Sequence, residues 1–473
     1  MIKDAFNSEN FRKEGHTLID DIATYLAKAY EGKELPVFPF KKPEDSYQFW
    51  KNYQLKDNNQ LYRDLITHST HLHHPGYIGH QISPAVPTTA LPILLASLFK
   101  NGSGVYEMAP AGAALERIVP EEMAKYIGYD ERASGIITSG GTLANLTALL
   151  CARQEKGLGD IWNDGLENNG QMGIMVSEAS HYCIDRAARI MGFGAGGVVK
   201  VPMNDQYQIE VDQLEACYQK AIENGKQIFA IVGNACSTAT GSYDDLEAIG
   251  EFAKKHNLWF HVDGAHGGAA IFSEKYKHLV KSIELADSVV IDFHKMMLTA
   301  GLCTTVVFKN GADSYKTFQV KAQYLFDDTV EEEWYNMAKR TFECTKFPNV
   351  FSVYALLQQN GKQLIESYID TTYDLSKAFH QTLEADPNFE TAHIPEANIV
   401  CFRYVDVQLD EVALNNLNKK IRSQLVQEGN FYIVQTVLNG QLYLRVSIMN
   451  PLTTKEHMMI LIKNLKALAE SFL

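Results

Sequence analysis

The chain has 473 residues, of which 46% are hydrophobic and 21% are charged, a balance typical of a globular protein with more than one domain. Its net charge of −14 at pH 7 argues against nucleic acid or an anionic membrane surface as a partner, since both bind through basic patches. The start has no signal-peptide core, the longest apolar stretch is too short to cross a bilayer, and the seven cysteines form no CxxC pair, so we expect a cytoplasmic protein with reduced thiols.

Residues 1–87 are predicted to form an N-terminal segment of helix and extended chain. Apolar residues recur at helical spacing over residues 1–30, which indicates an amphipathic helix whose apolar face must be covered. That helix can pack on a partner subunit or on its own domain. Prolines predict an extended linker over residues 35–40.

A turn-rich loop follows over residues 71–87. Its four histidines match no usual zinc spacing, and no cysteine or carboxylate cluster completes a ligand set, so we expect no metal site. These histidines are His71, His73, His74 and His80. As a pocket wall, the loop would supply Tyr77, His80, Gln81 and Ser83; the alternative is a surface loop without a ligand.

Residues 88–365 are predicted to form a large domain in which helical and strand patterns alternate. Two helix-like stretches come first, and Pro120 is expected to break the second. The sequence GIITSGGTLANL then predicts a strand, a glycine turn and a helix, an arrangement that binds anions at the helix N-terminus. Gly140 and Gly141 let backbone N–H groups approach a phosphate, and Thr142 adds a hydroxyl.

Two more strand–helix junctions follow. His181 lies at the first, where an imidazole could either stack on a flat aromatic ring or cap the helix. Thr238 and Asp244 come after the next strand, in a loop of small hydroxyl residues, and are expected to face the same rim of the sheet.

The segment from Trp259 to Lys295 contains two short apolar runs that predict buried strands. Asp263 ends the first, and His294 and Lys295 follow the second. Ligands bind beyond the carboxyl ends of strands in open α/β sheets, so these groups are expected at one rim. A lysine amine forms a Schiff base with the aldehyde of pyridoxal phosphate, and a carboxylate keeps its pyridine nitrogen protonated, so the pair suits that cofactor. The alternative is an ordinary parallel sheet with a solvated lysine.

The last part of the chain departs from this alternation. An acidic stretch precedes Trp334 and Tyr335 and is either a lid or an inter-domain connection. Residues 366–473 are predicted to form a small α+β domain. Arg445 falls within one of its apolar strands, where a guanidinium needs an anionic partner, either a substrate carboxylate or a structural acid.

Six motifs, taken together in their order and spacing, resemble the group II pyridoxal-phosphate-dependent amino-acid decarboxylases from about residue 70 to about residue 455. They are TSGGTxAN at 138–145, SxASH at 177–181, STATG at 237–241, HVDGAHGG at 261–268, DFHK at 292–295 and LRVSIMNP at 444–451. That family includes glutamate, aromatic-amino-acid and 2,4-diaminobutyrate decarboxylases. The resemblance implies fold-type I with a mainly parallel seven-stranded sheet in the large domain. It also implies a homodimer with active sites at the interface, in which residues 1–87 pack on the partner.

The resemblance implies roles for individual residues. Lys295 would carry the cofactor as a Schiff base, Asp263 would pair with the pyridine nitrogen, and His181 would stack over the ring. Further cofactor contacts are implied for Ala265, Thr238, Gly141, Thr142 and His294. Tyr335 matches a mobile-loop tyrosine that protonates the α-carbon, and Arg445 matches an arginine that can contact a substrate carboxylate.

The chain departs from the family pattern at three places. Asp292 and Phe293 stand where many members have Asn-Pro. A carboxylate beside a phosphate would be repelled, so Asp292, still assigned to the cofactor site, is expected to bond to a backbone or hydroxyl group. His266 replaces a common Tyr or Trp, and Thr345 and Lys346 stand where Gly-Arg is common.

The implied reaction is decarboxylation of an L-amino acid to an amine and CO₂. The predicted substrate-binding residues are His80, Gln81, Ser83 and Arg445. Gln81, Ser83 and Arg445 could hold an acidic side chain, whereas the DFHK motif favours 2,4-diaminobutyrate. An aromatic substrate is the alternative. An aminotransferase, a carbon–carbon lyase and a catalytically silent scaffold are the rival functions.

Overall fold

The computed structural model describes residues 2–318 and 333–473, and the chain divides into two compact units. The first unit comprises residues 1–84, 374–394 and 398–473; the second comprises residues 85–373 and 395–397. These boundaries lie near the predicted ones after residues 87 and 365. The structure, however, unites the N-terminal segment with most of the predicted small domain in the first unit.

The described residues form helices and strands with the following bounds. The α-helices are α1 (Ile2–Ala5), α2 (Ser8–Glu31), α3 (Pro43–Lys51), α4 (Asn58–Thr67), α5 (Ala90–Phe99), α6 (Pro110–Ile127), α7 (Gly141–Lys156), α8 (Ile161–Asp164), α9 (Tyr182–Ile190), α10 (Leu214–Glu223), α11 (Leu246–Lys255), α12 (Phe293–Met296), α13 (Val350–Glu384), α14 (Glu411–Glu428) and α15 (Lys455–Phe472). The strands are β1 (Ser134–Thr138), β2 (Gln171–Ser177), β3 (Val198–Val201), β4 (Lys226–Asn234), β5 (Trp259–Asp263), β6 (Ser288–Asp292), β7 (Thr304–Phe308), β8 (Phe389–Thr391), β9 (Ile399–Tyr404), β10 (Val434–Leu438) and β11 (Gln441–Ser447).

A seven-stranded sheet forms the centre of the second unit, in the order β1-β7-β6-β5-β4-β2-β3. β7 runs antiparallel to both of its neighbours, and the other pairs are parallel. Every residue of β5, β6 and β7 is buried, which explains why their sequences are nearly continuous apolar runs rather than alternating ones. The mainly parallel sheet predicted from the sequence is confirmed.

Helix α7 lies against this sheet and begins where the glycine turn ends. Its small residues Ala144, Ala148 and Ala152 are fully buried in the core that the sheet contributes to. Small side chains let the helix approach the strands closely. As a result, a Cβ on Gly141 would lie only 3.2 Å from the carboxylate oxygens of Asp292, the last residue of β6.

Helix α6 runs through Pro120 without a break, so the prediction of a break there is wrong. Pro120 is buried against β1, where a Cβ on Gly135 would come within 2.6 Å of the Cβ of the proline. A proline inside a helix removes one intrahelical hydrogen bond. Packing of α6 on β1 maintains the helical path in spite of that loss.

In the first unit, a four-stranded antiparallel sheet in the order β10-β11-β9-β8 shares an apolar core with α14 and α15. The N-terminal residues join this unit through hydrogen bonds. The N–H of Val37 donates to the carbonyl of Gly429 at 2.7 Å, and the side-chain amide of Asn450 donates to the carbonyl of Leu72 at 3.1 Å. None of the described helices combines the length and the apolar character that crossing a membrane requires.

Candidate active site

One cavity of the second unit collects residues from several strand ends and from the start of α7. β4, β5 and β6 end at Asn234, Asp263 and Asp292, and each of these residues lines the cavity. The other predicted site residues in its wall are Gly141, Thr142, His181, Thr238, Ala265, His294 and Lys295. The carboxyl ends of parallel strands meet at one rim, which brings these groups together from distant parts of the sequence.

Lys295 follows β6 in the short helix α12, and its Nζ lies 2.8 Å from Oδ2 of Asp292. The Asp292 side chain is 2% exposed and that of Lys295 is 24% exposed, so this ion pair is largely withdrawn from water. The hydroxyl of Thr304, on neighbouring β7, donates to Oδ1 of Asp292 at 2.5 Å, and Nε2 of His294 lies 3.7 Å from Oδ2. The expected hydroxyl bond to Asp292 is therefore confirmed.

Burial and charge act in opposite directions on the amine of Lys295. Burial by itself lowers the pKa of Lys295, because it penalises the charged form. The attraction and hydrogen bond of Asp292 outweigh that effect, so the pKa is raised overall. The site therefore holds Lys295 as an ammonium ion paired with Asp292.

The glycine turn suits an anionic group. Gly140 is the N-cap residue of α7 and has no side chain to satisfy the first N–H groups of the helix. Gly141 and Thr142 line the cavity just beyond it. Backbone N–H groups, the positive end of the helix dipole and the hydroxyl of Thr142 together form a site for a phosphate.

Both oxygens of the buried Asp263 carboxylate accept hydrogen bonds. Oδ1 accepts from the N–H of Ala265 at 3.2 Å, and Oδ2 accepts from the side-chain amide of Asn145 at 3.0 Å. Oδ1 of Asn145 in turn lies 2.8 Å from Nε2 of His261, a fully buried residue of β5. Burial lowers the pKa of His261 to about 4, despite the opposing effect of Asp263, so this imidazole is neutral at physiological pH.

His181 both caps a helix and lines the cavity. Its Nδ1 accepts a hydrogen bond from the N–H of Cys183 at 3.3 Å, at the start of α9. Burial is the largest influence on the pKa of His181, which is lowered although Asp263 acts in the opposite direction. A neutral, flat imidazole in the cavity wall can stack on a planar ring. The two alternatives considered for this residue are thus compatible.

The sequence matches the family described as the pyridoxal-dependent decarboxylase conserved domain over residues 54–405. The chain belongs to this family of decarboxylases. The resemblance inferred from the six motifs is confirmed, and with it the cofactor, pyridoxal phosphate, and the reaction class, decarboxylation of an amino acid.

Individual relatives differ in substrate. The chain is 27% identical over 419 residues to an L-2,4-diaminobutyrate decarboxylase of Acinetobacter baumannii, covering 86% of this chain and 82% of that protein. It is 28% identical over 413 residues to an aromatic-L-amino-acid decarboxylase of Bacillus atrophaeus, covering 87% of this chain and 84% of that protein.

A solved structure shows the same fold. It is the glutamate decarboxylase domain of diaminobutyrate-pyruvate transaminase and L-2,4-diaminobutyrate decarboxylase from Vibrio parahaemolyticus. It matches with a TM-score of 0.83 at 23% identity, over 95% of this chain and 94% of that one. The decarboxylase thus has the fold-type I architecture expected from the sequence.

The residues of the cavity fit pyridoxal phosphate. The cofactor has an aldehyde, a pyridine nitrogen, a flat ring and a phosphate. Lys295 offers an amine, Asp263 a buried carboxylate and His181 a flat imidazole. The N-terminus of α7 offers an anion site behind a glycine turn. Each part of the cofactor thus has a chemically matched group in one cavity.

Four polar cavity residues of the decarboxylase were missed by the sequence analysis. They are Asn145, Cys183, Asn234 and Cys236. Asn145 lies four positions after Gly141, which puts the two residues on one face of α7. Asn234 ends β4 just as Asp263 ends β5, so the same strand-end argument would have found it.

Asp244 was expected to face the site, and that expectation is wrong. Its buried carboxylate accepts hydrogen bonds from the N–H of Ile209 at 2.7 Å and from the N–H and side-chain amide of Asn234 at 2.8 Å each. Asp244 therefore stabilises the loop after β4 through these hydrogen bonds. Gly140 lies beside the cavity wall as the N-cap residue of α7.

The remaining predicted residues lie elsewhere. Tyr335 is outside the described cavity wall, and its ring contacts that of Tyr106, with the centroids 5.6 Å apart. Most of the acidic stretch before Trp334 lies outside the described residues. The predicted substrate-binding residues belong to the first unit and are His80, Gln81, Ser83 and Arg445. Over residues 2–318 and 333–473, no cluster of three His, Cys, Asp or Glu side chains is arranged to hold a metal ion.

Proposed function

We propose that this decarboxylase acts on an L-amino acid with an acidic side chain and binds pyridoxal phosphate in the cavity of the second unit. The observation that carries the proposal is the presence of Lys295, Asp263 and the glycine turn of α7 in one cavity. Family membership supplies the cofactor and the reaction class. The residues of the cavity supply the individual roles.

The roles proposed for individual residues rest on the family resemblance together with the chemistry of each side chain. Lys295 carries the cofactor through its amine, and Asp263 faces the pyridine nitrogen. His181 stacks on one face of the ring, and the small Ala265 leaves room at the other. The remaining cofactor contacts are Gly140, Gly141, Thr142, Thr238, Asp292 and His294. When bound, pyridoxal phosphate accepts the electron pair that is left on the α-carbon as CO₂ departs.

Asp292 controls the proton on Lys295. An amine must be neutral to act as a nucleophile. Oδ2 of Asp292, 2.8 Å from Nζ, keeps the free lysine charged, while the hydrogen bond from Thr304 to Oδ1 holds the carboxylate in this orientation. While it is protonated, Lys295 would not act as a nucleophile, so Asp292 would suppress attack by the free lysine amine.

Tyr335 is assigned the proton that goes to the α-carbon, and we place it in the cavity of a second copy of the chain. The family resemblance supports the choice of this tyrosine. Its ring lies against Tyr106 rather than in the described wall of the cavity of its own second unit, which supports a role in the neighbouring subunit. The enzyme would then be active only as a homodimer.

Helix α5 supports the homodimer. Its sequence, ALPILLASLF, is apolar except for Ser97, and only Ala96 is buried. The side chains of Leu91, Leu94, Leu95 and Leu98 are 49–59% exposed. An exposed apolar patch of this kind marks a protein–protein interface, and burial against a second copy would remove it from water.

A cationic cluster in the first unit favours an acidic substrate. Arg445 is buried on β11. Burial lowers the pKa of His80, and the charges of Arg445 and Arg422 lower it further. Two guanidinium groups beside this histidine attract a side-chain carboxylate and repel the second ammonium group of 2,4-diaminobutyrate. We assign the substrate contacts to His80, Gln81, Ser83 and Arg445.

The substrate assignment is tested by CO₂ release from L-aspartate, L-glutamate, L-2,4-diaminobutyrate and L-tryptophan, each with pyridoxal phosphate. We expect one of the two acidic amino acids to give the highest kcat/KM, because the arginine cluster binds a carboxylate. A preference for L-2,4-diaminobutyrate or for L-tryptophan would contradict the assignment while leaving the reaction class intact.

The role of Arg445 has a matched control. Arg445→Gln should raise KM for the acidic substrate about tenfold or more, because a hydrogen bond to a charged group contributes about 1.5–3 kcal/mol. Arg403 is buried on the neighbouring strand β9, where it forms ion pairs with Glu390 and Glu411. Arg403→Gln should therefore lower stability without raising KM. Equal KM values for the two variants would contradict the role of Arg445.

A further inference from the structure

Behind Asp263, four buried side chains form a continuous line of hydrogen bonds. The successive distances are 2.9 Å from Nε1 of Trp259 to Oγ of Ser288, 2.8 Å from that Oγ to Nδ1 of His261, 2.8 Å from Nε2 of His261 to Oδ1 of Asn145, and 3.0 Å from Nδ2 of Asn145 to Oδ2 of Asp263. His261 and Ser288 are directly paired in the register of β5 and β6. The sheet itself therefore sets this contact.

Trp259 fixes the direction of the line. An indole N–H can only donate, so Oγ of Ser288 accepts from Trp259 and its hydrogen is available for Nδ1 of His261. A neutral His261 that accepts at Nδ1 carries its proton on Nε2 and donates it to Oδ1 of Asn145. The amide of Asn145 then presents its NH₂ group to the carboxylate of Asp263.

The opposite direction of donation along these hydrogen bonds is excluded for two reasons. His261 would have to donate to Ser288, which already accepts from Trp259, so the serine hydrogen would have no acceptor among the described residues. The amide oxygen of Asn145 would also turn toward Asp263, which would place two acceptors about 3.0 Å apart. An imidazolium fails for the first of these reasons, because both of its ring nitrogens donate.

We propose that His261, acting through Asn145, is a positioning residue for Asp263. Each dipole in the line points its positive end toward the carboxylate, which fixes its orientation and the oxygen that Asn145 engages. The inference rests on the proposed role of Asp263 opposite the pyridine nitrogen. A carboxylate held in this orientation would keep a proton on that nitrogen.

The line of hydrogen bonds is tested first in the cofactor-free protein. NMR of ¹⁵N-labelled histidine at neutral pH should show His261 as a neutral imidazole with its proton on Nε2, and the His261→Gln variant assigns the signal by its absence. The Trp259→Phe variant removes only the first of the two constraints on the direction, and the repulsion between the oxygens of Asn145 and Asp263 remains, so the Nε2-protonated tautomer should still predominate. An Nδ1-protonated tautomer or an imidazolium in the wild-type protein would overturn the inference.

The effect on the cofactor is tested with two variants of one residue. His261→Leu removes the donor to Asn145 and should weaken binding of pyridoxal phosphate about tenfold, the loss of one hydrogen bond to a charged network. It should also change the pH dependence of the cofactor absorbance. His261→Gln keeps an amide N–H near the former Nε2 and should restore both properties. Fluorescence titration gives the Kd, and absorbance spectra give the pH dependence.

His71→Leu is the matched control. His71 is also buried, and its ring nitrogens lie 2.7 Å and 3.1 Å from the carbonyl oxygens of Pro36 and Ile66 in the first unit. Its loss should lower stability without changing the Kd for pyridoxal phosphate. If His71→Leu and His261→Leu both bind pyridoxal phosphate more weakly than the wild type, the effect reflects general destabilisation and the inference is overturned.

The inference and the proposed function can fail separately. If wild-type protein releases CO₂ and His261→Leu binds pyridoxal phosphate with unchanged Kd and unchanged spectra, the inference is wrong and the proposed function stands. If Lys295→Ala still forms the cofactor–lysine absorbance band, the proposed function is wrong. Should His261→Leu not fold, Ser288→Ala replaces it, because that variant removes the hydrogen donated to Nδ1 and is expected to give a smaller change in the same direction.

Discussion

The Lys346→Met substitution tests the buried ion pair between α6 and the segment that follows Tyr335. Nζ of Lys346 contacts Oε2 of Glu116, and the two side chains are 3% and 0% exposed. Lys346 is one of the residues that depart from the family pattern. Methionine preserves the apolar stem of the lysine but cannot neutralise Glu116.

The expected loss of folding stability follows from the complete burial of Glu116. Removing one partner of a buried pair costs about 3–5 kcal/mol, because an uncompensated charge stays in the interior. We expect Lys346→Met to lower the free energy of unfolding by about this amount above neutral pH. A second substitution, Glu116→Gln in the same chain, should recover about 2–3 kcal/mol of the loss, because it removes the isolated charge.

The sign of the pH dependence follows from the pKa of Glu116. Burial raises this pKa, and Lys346 counteracts the rise. Without Lys346, the folded protein binds the proton on Glu116 more tightly than the unfolded chain does. The stability linked to that proton is fully present below the unfolded pKa and is lost as the pH rises through the folded pKa. The Lys346→Met variant should therefore be closest to wild type in acid.

Urea unfolding at a fixed protein concentration, at an acid and a mildly alkaline pH, measures these differences. Lys125→Met is the matched control: Lys125 lies on the same helix, in an exposed ion pair with Glu122, and its replacement should change stability by no more than about 0.5 kcal/mol. If Lys346→Met stays within about 1 kcal/mol of wild type at both pH values, the pair holds no buried charge and the reasoning is refuted.

Three further predictions concern the cofactor site. Lys295→Ala should abolish both the cofactor–lysine absorbance band and CO₂ release. Lys316→Ala, which removes a 40% exposed lysine, should leave both unchanged. A persistent band in the Lys295→Ala variant would exclude Lys295 as the cofactor-binding lysine. Asp292→Asn should speed the attachment of pyridoxal phosphate in stopped-flow absorbance, because Lys295 loses the counter-charge that raises its pKa; slower attachment would contradict this. Gly141→Ala should weaken cofactor binding in equilibrium dialysis, because its Cβ would lie 3.2 Å from both Asp292 oxygens. Gly15→Ala, with nothing within 4 Å, is the control, and equal affinities would refute the argument.

Local sequence patterns were enough to find the rim of the sheet. The apolar runs before Asp263 and Lys295 have the length and composition of buried parallel strands, and both form strands whose ends line one cavity. The glycine turn before Thr142 could also be recognised from the sequence, because a strand, a turn and a helix start are features of adjacent residues. The family motifs combine these local features.

The hydrogen-bond partners of the buried polar groups could not be predicted from local sequence patterns. Asn145 and His261 are 116 positions apart, and their contact depends on α7 packing beside β5, which no local pattern records. Asp244 is likewise a polar residue in a loop by its sequence, but in the fold its carboxylate bonds to Asn234 and is not part of the described cavity wall. A sequence shows that a residue is polar, whereas only the fold decides which group satisfies it.

By itself, the sequence determined the alternation of strands and helices and the strand ends at which the chemistry takes place, because both depend on the period and order of neighbouring residues. The fold type and the cofactor were implied by the resemblance of its six motifs to a known family. The tertiary structure alone decided that Asp292 pairs with both Lys295 and Thr304, and that α6 continues through Pro120. It also decided that the N-terminal segment belongs to the same unit as residues 398–473. These outcomes depend on packing and hydrogen bonds between groups far apart in the chain, whose energies exceed local preferences only once the chain has folded.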